Sequence, residues 1–375
     1  MTRPRTLLGW ALATLGGALA TSCRTSAPPA SPAVEVHRDD SFTQFFRRSS
    51  GWIAGDGALS IPCSDGQVLW LFGDSHVDDY DPATGTTPCL FQTRNAAMIH
   101  ARDDLQNVTT LVGKGPGFRS FFKADPNDDV WFWPLSGFQT GDVIYVYLAA
   151  MRKTAAGGMW GFESVGRDYW AKIKFPEMRP IMYTPLPNLH GIAFGVGFVA
   201  DGNYIYAYGG KQNGLASDLY VARFRSDRPE EDWQFWDGGA WDVDVMNAAV
   251  IGRGASTSLH VCRVRHKILL TTSALSLACD QGREVFMATT TNPVGPFTSL
   301  KKMFTVDDEY DGHYPFNYFP VAHPEFVNAS GELLVTYSIN NYEPCLPACV
   351  NGRSNPDHYR PKAIRVPLSL IDSGF

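Results

Sequence analysis

Charged side chains are scarce in this chain. Asp, Glu, Lys and Arg make up 19% of 375 residues, against 44% hydrophobic. That balance excludes a disordered chain or a coiled coil. No stretch is strongly basic and the formal net charge is −6, which excludes nucleic acid as a partner. No apolar run reaches the roughly 20 residues that a membrane helix needs; the run Leu7 to Ala20 has 14. No long amphipathic helical pattern appears after residue 22. What remains is aromatic (13%), with 35 Gly and 25 Pro. Frequent Gly and Pro turns between aromatic and β-branched runs predict an all-β protein.

The first residues read as a targeting segment. Arg3 and Arg5 precede the apolar run, and Leu19-Ala20-Thr21-Ser22-Cys23 resembles a bacterial lipoprotein signal. Residues 1–22 are therefore expected to be removed, with Cys23 lipidated, and residues 23–38 to form a flexible tether. The alternative is an ordinary signal peptide cut nearby. Either way the protein is exported, lipid-anchored to a bacterial membrane surface or secreted.

Six cysteines remain: Cys63, Cys89, Cys262, Cys279, Cys345 and Cys349. An even number in an exported chain suggests disulfides. Pairing within each repeat gives Cys63–Cys89, Cys262–Cys279 and Cys345–Cys349. The Cys345-x3-Cys349 spacing has no matching Cys/His pair nearby, so no metal site is expected there.

One hairpin recurs five times: ALSIPCSDGQVLWLFGD (58–74), LSGFQTGDVIYVYLA (135–149), GFVADGNYIYAYGG (197–210), LHVCRVRHKILLTTS (259–273) and PEFVNASGELLVTYS (324–338). The apolar dipeptides that start the second strands are spaced 75, 61, 64 and 64 residues apart. A short third strand follows each. Units of three or four antiparallel strands, repeated radially, are propeller blades. The expectation is a single five-bladed β-propeller over residues 39–375, monomeric because ring closure leaves few free edges.

Strand direction sorts polar residues by face. Asp56 starts the first inner strand, Asp74 ends the strand that returns, and Arg94 and Asn95 open the third. In blade five, His323 and Glu325 are read at the start of the inner strand. Asn340 and Tyr342 close the second strand, and Arg360 opens the third. Blades one and five adjoin in a closed ring, so these groups share one face. Paired carboxylates across a cleft are the minimal apparatus for glycoside hydrolysis. Trp52, Trp131, Trp133, Tyr314, Phe316, Tyr318 and Phe319 fall on the same face and offer platforms for sugar rings. The loop DDEYDGHYPFNY (307–318) carries Asp307, Asp308, Glu309 and Asp311, which could hold a structural Ca²⁺; no other cofactor is expected.

The segments GWIAGDGALSIPCSDGQVLWLFGDS (51–75), NYFPVAHPEFVNASGELLVTYSIN (317–340) and YRPKAIRVPL (359–368) resemble a bacterial family of exported five-bladed propellers of unknown function. That family looks related to the arabinanase, β-xylosidase and levansucrase glycosidases. The resemblance implies that Asp56 is the base or nucleophile. In the arabinanase group the general acid is a Glu on a middle blade, but GIAFGVGFV (191–199) and STSLHVCRV (256–264) contain none. Glu325 is therefore assigned the acid role, with Asp74 tuning or orienting. His323, Arg94, Asn95, Trp52, Trp133, Asn340, Tyr342 and Arg360 are assigned to the sugar. The expected function is cleavage of glycosidic bonds in a furanose- or pyranose-containing polysaccharide. The alternative is a non-catalytic surface protein that binds glycan in the same cleft.

Overall fold

In the computed structural model the described residues are 34–114, 119–124, 129–154, 161–341 and 345–375. The signal segment, Cys23 and Tyr342 lie outside them.

Five antiparallel sheets follow one another along the chain. Their first strands are Leu59–Pro62, Val130–Thr140, Ala193–Asp201, Leu259–Val264 and Phe316–His323. The strands returning from them are Gln67–Phe72, Val143–Lys153, Tyr204–Asn213, Lys267–Ser273 and Glu332–Asn340. Neighbouring first strands touch from blade one through blade five, so they line the axis of a five-bladed propeller. The returning strands are apolar almost throughout because a blade packs on each side of them. Side chains alternate between the two interfaces, as strand pleating requires. Leu69 and Leu71 enter the core shared with blade two, whereas Val68, Trp70 and Phe72 enter the core shared with blade five. Three further cores fill the other interfaces.

Ring closure between blades five and one uses every level of structure. The short strand His37–Arg38 pairs with Lys362–Pro367 as the outermost strand of blade five, so the sheet begins two residues before the expected boundary at 39. The helix Asp40–Phe45 follows, capped by Asp39, whose Oδ1 accepts from Phe42 N at 2.9 Å. It seats Phe42, Phe45 and Phe46 against Trp70 of blade one and Phe326 of blade five. The Asp39 carboxylate also accepts from Arg365 Nε at 2.6 Å.

The disulfides differ from the local pairing. They join Cys89 to Cys349 and Cys279 to Cys345, with Cα–Cα distances of 5.1 and 6.4 Å. Cys63 and Cys262 are reduced and buried. The reason lies in strand alternation: Cys63 and Cys262 point into the inter-blade cores, while the other four sit in loops. Radial geometry brings the loops of adjacent blades closer than the two ends of one repeat. Both bridges therefore cross blade boundaries, from five to one and from four to five.

The acidic loop is also committed. Arg38 binds Asp307 and Asp308, the latter at 3.1 Å, and the Tyr337 hydroxyl donates to Asp308 at 2.7 Å. Among the described residues no group of three or more His, Cys, Asp or Glu is arranged to hold a metal ion. No described helix is long and apolar enough to cross a membrane.

Candidate functional site

Two stretches of blade one lie side by side: Trp52–Gly55 pairs with Ser75–Val77, Gly55 opposite Ser75. Each carries an aspartate beside a glycine, and the close approach explains the glycines. A Cβ on Gly73 would stand 2.5 Å from Asp56 Oδ1, and one on Gly55 would stand 2.8 Å from the Asp74 carbonyl. The local sequences G-D-G and G-D-S thus place two carboxyls on one wall of a cleft of about 610 Å³.

Asp56 is held by its neighbours from blade five. The Tyr318 hydroxyl donates to its Oδ2 at 2.8 Å, and the Tyr359 hydroxyl, which donates to Asp74 O at 3.1 Å, also favours its anion. Burial nevertheless lifts the carboxyl to about 6, the two tyrosines pulling the other way. Asp74 accepts from Trp133 Nε1 at 3.2 Å and from Arg94 at 3.4 Å. Burial, and then the charge of Asp56, lift it to about 7 against the opposing pull of Arg94 and Trp133. Two acids that feel each other titrate as a pair. Near neutral pH the favoured state holds one proton between them, the arrangement that separates an acid from a base.

The rest of the cleft is largely aromatic. Trp131 supports Arg94, whose guanidinium carbon lies 4.1 Å from the ring centroid. Trp133 meets Phe162 edge to face at 4.7 Å, and Phe316 stacks on Tyr318 at 4.5 Å. Phe91, Phe319, Lys153 and Asn340 also line it. Trp131, Trp133, Phe316, Tyr318 and Phe319 thus occupy the face expected for them. Tyr314 does not line this cleft and instead lies under the Arg283 guanidinium.

Several expected site residues lie elsewhere. The inner strand of blade five is Phe316–His323, eight residues earlier than the hairpin pattern indicates, because a 3-10 turn (Pro324–Phe326) separates it from the tight turn. The start of the strand therefore belongs to Phe316 and Tyr318, and Glu325 follows its far end. Glu325 and His323 do not line the cleft. They lock blade five to Ser60 of blade one: Ser60 Oγ is 2.6 Å from His323 Nδ1 and donates to Glu325, while His323 Nε2 is 2.9 Å from Thr336 Oγ1. Burial favours the neutral form of each, lifting Glu325 to about 6 and holding His323 well below its ordinary range.

Asn95, Arg360 and Trp52 are structural supports rather than cleft groups. Asn95 is fully buried; its amide donates to the carbonyls of Phe122 and Phe132, and Oδ1 accepts from Phe122 N at 2.7 Å. That clamp fixes the backbone just before Trp133. Arg360 Nε donates to Ile53 O at 2.7 Å and its terminal nitrogens reach Arg48 O and Asp357. Trp52 stacks on Phe72 at 4.2 Å and donates to Ser75 Oγ. Its plane is covered by core, not open to a ligand.

Among solved structures, a candidate hydrolase from Bacteroides ovatus ATCC 8483 shares this fold, with a TM-score of 0.73 and 19% identity over 93% of this chain and 95% of that one. More distant likenesses include a xylan β-1,4-xylosidase from Bacillus halodurans C-125 (TM-score 0.45, 8% identity, 84% of this chain and 52% of that one). An α-L-arabinofuranosidase from Clostridium thermocellum ATCC 27405 is another (TM-score 0.45, 15% identity, 80% and 86%). No curated protein matches the chain. The model of one family, described as Domain of unknown function (DUF5005), matches residues 39–368, and the chain belongs to that family.

Proposed function

We propose that this protein is an exported glycoside hydrolase that uses Asp56 and Asp74 as its carboxyl pair on a polysaccharide chain. One observation carries the reading: a half-buried and a buried aspartate, Asp56 and Asp74, from adjoining strand ends face a single aromatic-walled cleft. Asp74, lifted further, keeps the shared proton and donates it to the leaving oxygen. Asp56, steadied as an anion by Tyr318 and Tyr359, attacks the anomeric carbon or draws a proton from water. Arg94 holds Asp74 in place and limits its rise, so that the proton can leave. Asp74 thereby takes the role that sequence reasoning gave to Glu325. Sugar rings pack their C–H faces on Trp133, Phe316 and Tyr318.

The two inter-blade disulfides support an oxidising compartment, in keeping with a signal segment ending at a lipidated Cys23, or with secretion. Closed blades support a monomer.

The test is incubation of the purified mature protein with arabinans, xylans, galactans and fructans between pH 5 and 8, with release of reducing ends as the readout. Release from one glycan class is expected. Binding without release selects the glycan-binding alternative, and neither binding nor release overturns both.

A further inference from the structure

Beside the carboxyl cleft lies a second hollow of about 410 Å³. Phe91, Asn340 and Tyr359 line both, so the two meet across one shared wall. The second hollow is built around His76, which is only 4% exposed. Its Nδ1 lies 2.7 Å from Asp79 Oδ2. A carboxylate in that position keeps the proton on Nδ1 and leaves Nε2 as an acceptor. No hydrogen bond from a described residue to Nε2 is seen, and the His76 side chain lines the hollow. Nearby, the Asn341 amide donates to Pro347 O and His358 Nδ1, while its Oδ1 has no partner among the described residues.

Asn341 Oδ1 is buried with no described donor, and such an acceptor is stabilised when a ligand or water supplies one. No Lys, Arg, Asp or Glu lines the hollow, so neither an anion nor a cation finds its counter-charge there. The complementary ligand is uncharged and carries several hydroxyl donors.

We propose that this hollow is a subsite for a further neutral sugar unit of the same glycan, its hydroxyls donating to His76 Nε2 and, after a small side-chain adjustment, to Asn341 Oδ1. The proposal rests on the hydrolase reading for the placement of the adjoining unit over Asp56 and Asp74. It makes the substrate a chain that continues past Phe91 and Tyr359, rather than a single sugar clipped from a branch.

The experiment is calorimetric titration of the Asp56→Asn protein with linear arabino- and xylo-oligosaccharides of two to six units. Affinity is expected to step up about tenfold when the chain gains the unit that reaches the hollow, and Asn341→Leu or His76→Phe in the same background is expected to abolish the step. His76→Gln, which keeps an acceptor, is expected to retain part of it. A step of undiminished size in both Asn341→Leu and His76→Phe overturns the subsite, as does the lack of any step in either series. Reducing-end release by the unmodified protein is read separately. A step without release leaves the subsite standing and removes the hydrolase; release without a step removes the subsite alone.

Discussion

Replacing Asp74 by Asn should stabilise this protein, and by an amount that depends on pH in a fixed direction. In the fold the Asp74 carboxyl is lifted from an ordinary 3.8 to about 7, first by burial and then by Asp56. The folded state therefore holds the proton more tightly than the unfolded chain. Stability falls as pH rises from about 4 to about 7 and then levels off. Each unit corresponds to 1.36 kcal/mol, so a difference of about three units costs the wild type about 4 kcal/mol at pH 8 and only about 1 kcal/mol at pH 4.5. Asn has the same shape and nothing to ionise. At about 2.1 cal/mol/K per residue, the 341 residues from Glu35 to Phe375 turn a gain of about 4 kcal/mol into a rise in Tm of about 6 °C. The assay is urea or thermal unfolding of both proteins at pH 4.5 and pH 8, and it needs no substrate. A gain about fourfold larger at pH 8 than at pH 4.5 is expected. A variant that is less stable than wild type at pH 8, or that gains equally at both pH values, would refute the burial of a reluctant anion at this position.

Arg94→Met removes the cation 3.4 Å from Asp74, so the alkaline limb of the activity profile should move up by about one pH unit; a limb that stays put or moves down contradicts the pairing. Gly73→Ala places a methyl 2.5 Å from Asp56 Oδ1, so hydrolysis should fall by about 100-fold while circular dichroism still reports a folded β protein. Non-reducing peptide mapping should recover Cys89–Cys349 and Cys279–Cys345 with Cys63 and Cys262 free. Opening the second bridge, whose ends are 66 residues apart, should cost about 4 kcal/mol on the chain-entropy scale.

The propeller was legible because its period survives in apolar dipeptides: each returning strand is covered on both sides, so composition marks it even where turns vary. Asp56 and Asp74 were legible for a related reason, since each sits beside a glycine at a strand end where its side chain clears the sheet. What the pattern obscured lies in the joints between repeats. The 3-10 turn at Pro324–Phe326 shifts the inner strand of blade five and moves Glu325 from the rim to an inter-blade strut. The cysteine pairing failed because neighbours in a ring are set by azimuth, not by distance along the chain. Tyr359, Phe91 and Gly73 carried only weak signals: a tyrosine before a strand, an aromatic in a loop and a glycine whose tight neighbour is remote. Trp52 and Asn95 looked like ligand groups by type and face, yet burial assigns one to packing and the other to backbone carbonyls.

The most direct test compares Asp56→Asn, Asp74→Asn and Glu325→Gln on whichever glycan the unmodified protein cuts, with single-turnover rates measured at pH 6.5. The account predicts a loss of at least about 1,000-fold, or about 4 kcal/mol of transition-state stabilisation, in each aspartate variant, with little change in the glutamate variant once it is shown to be folded. Hydrolysis that survives in either aspartate variant, or that vanishes only with Glu325, would contradict it.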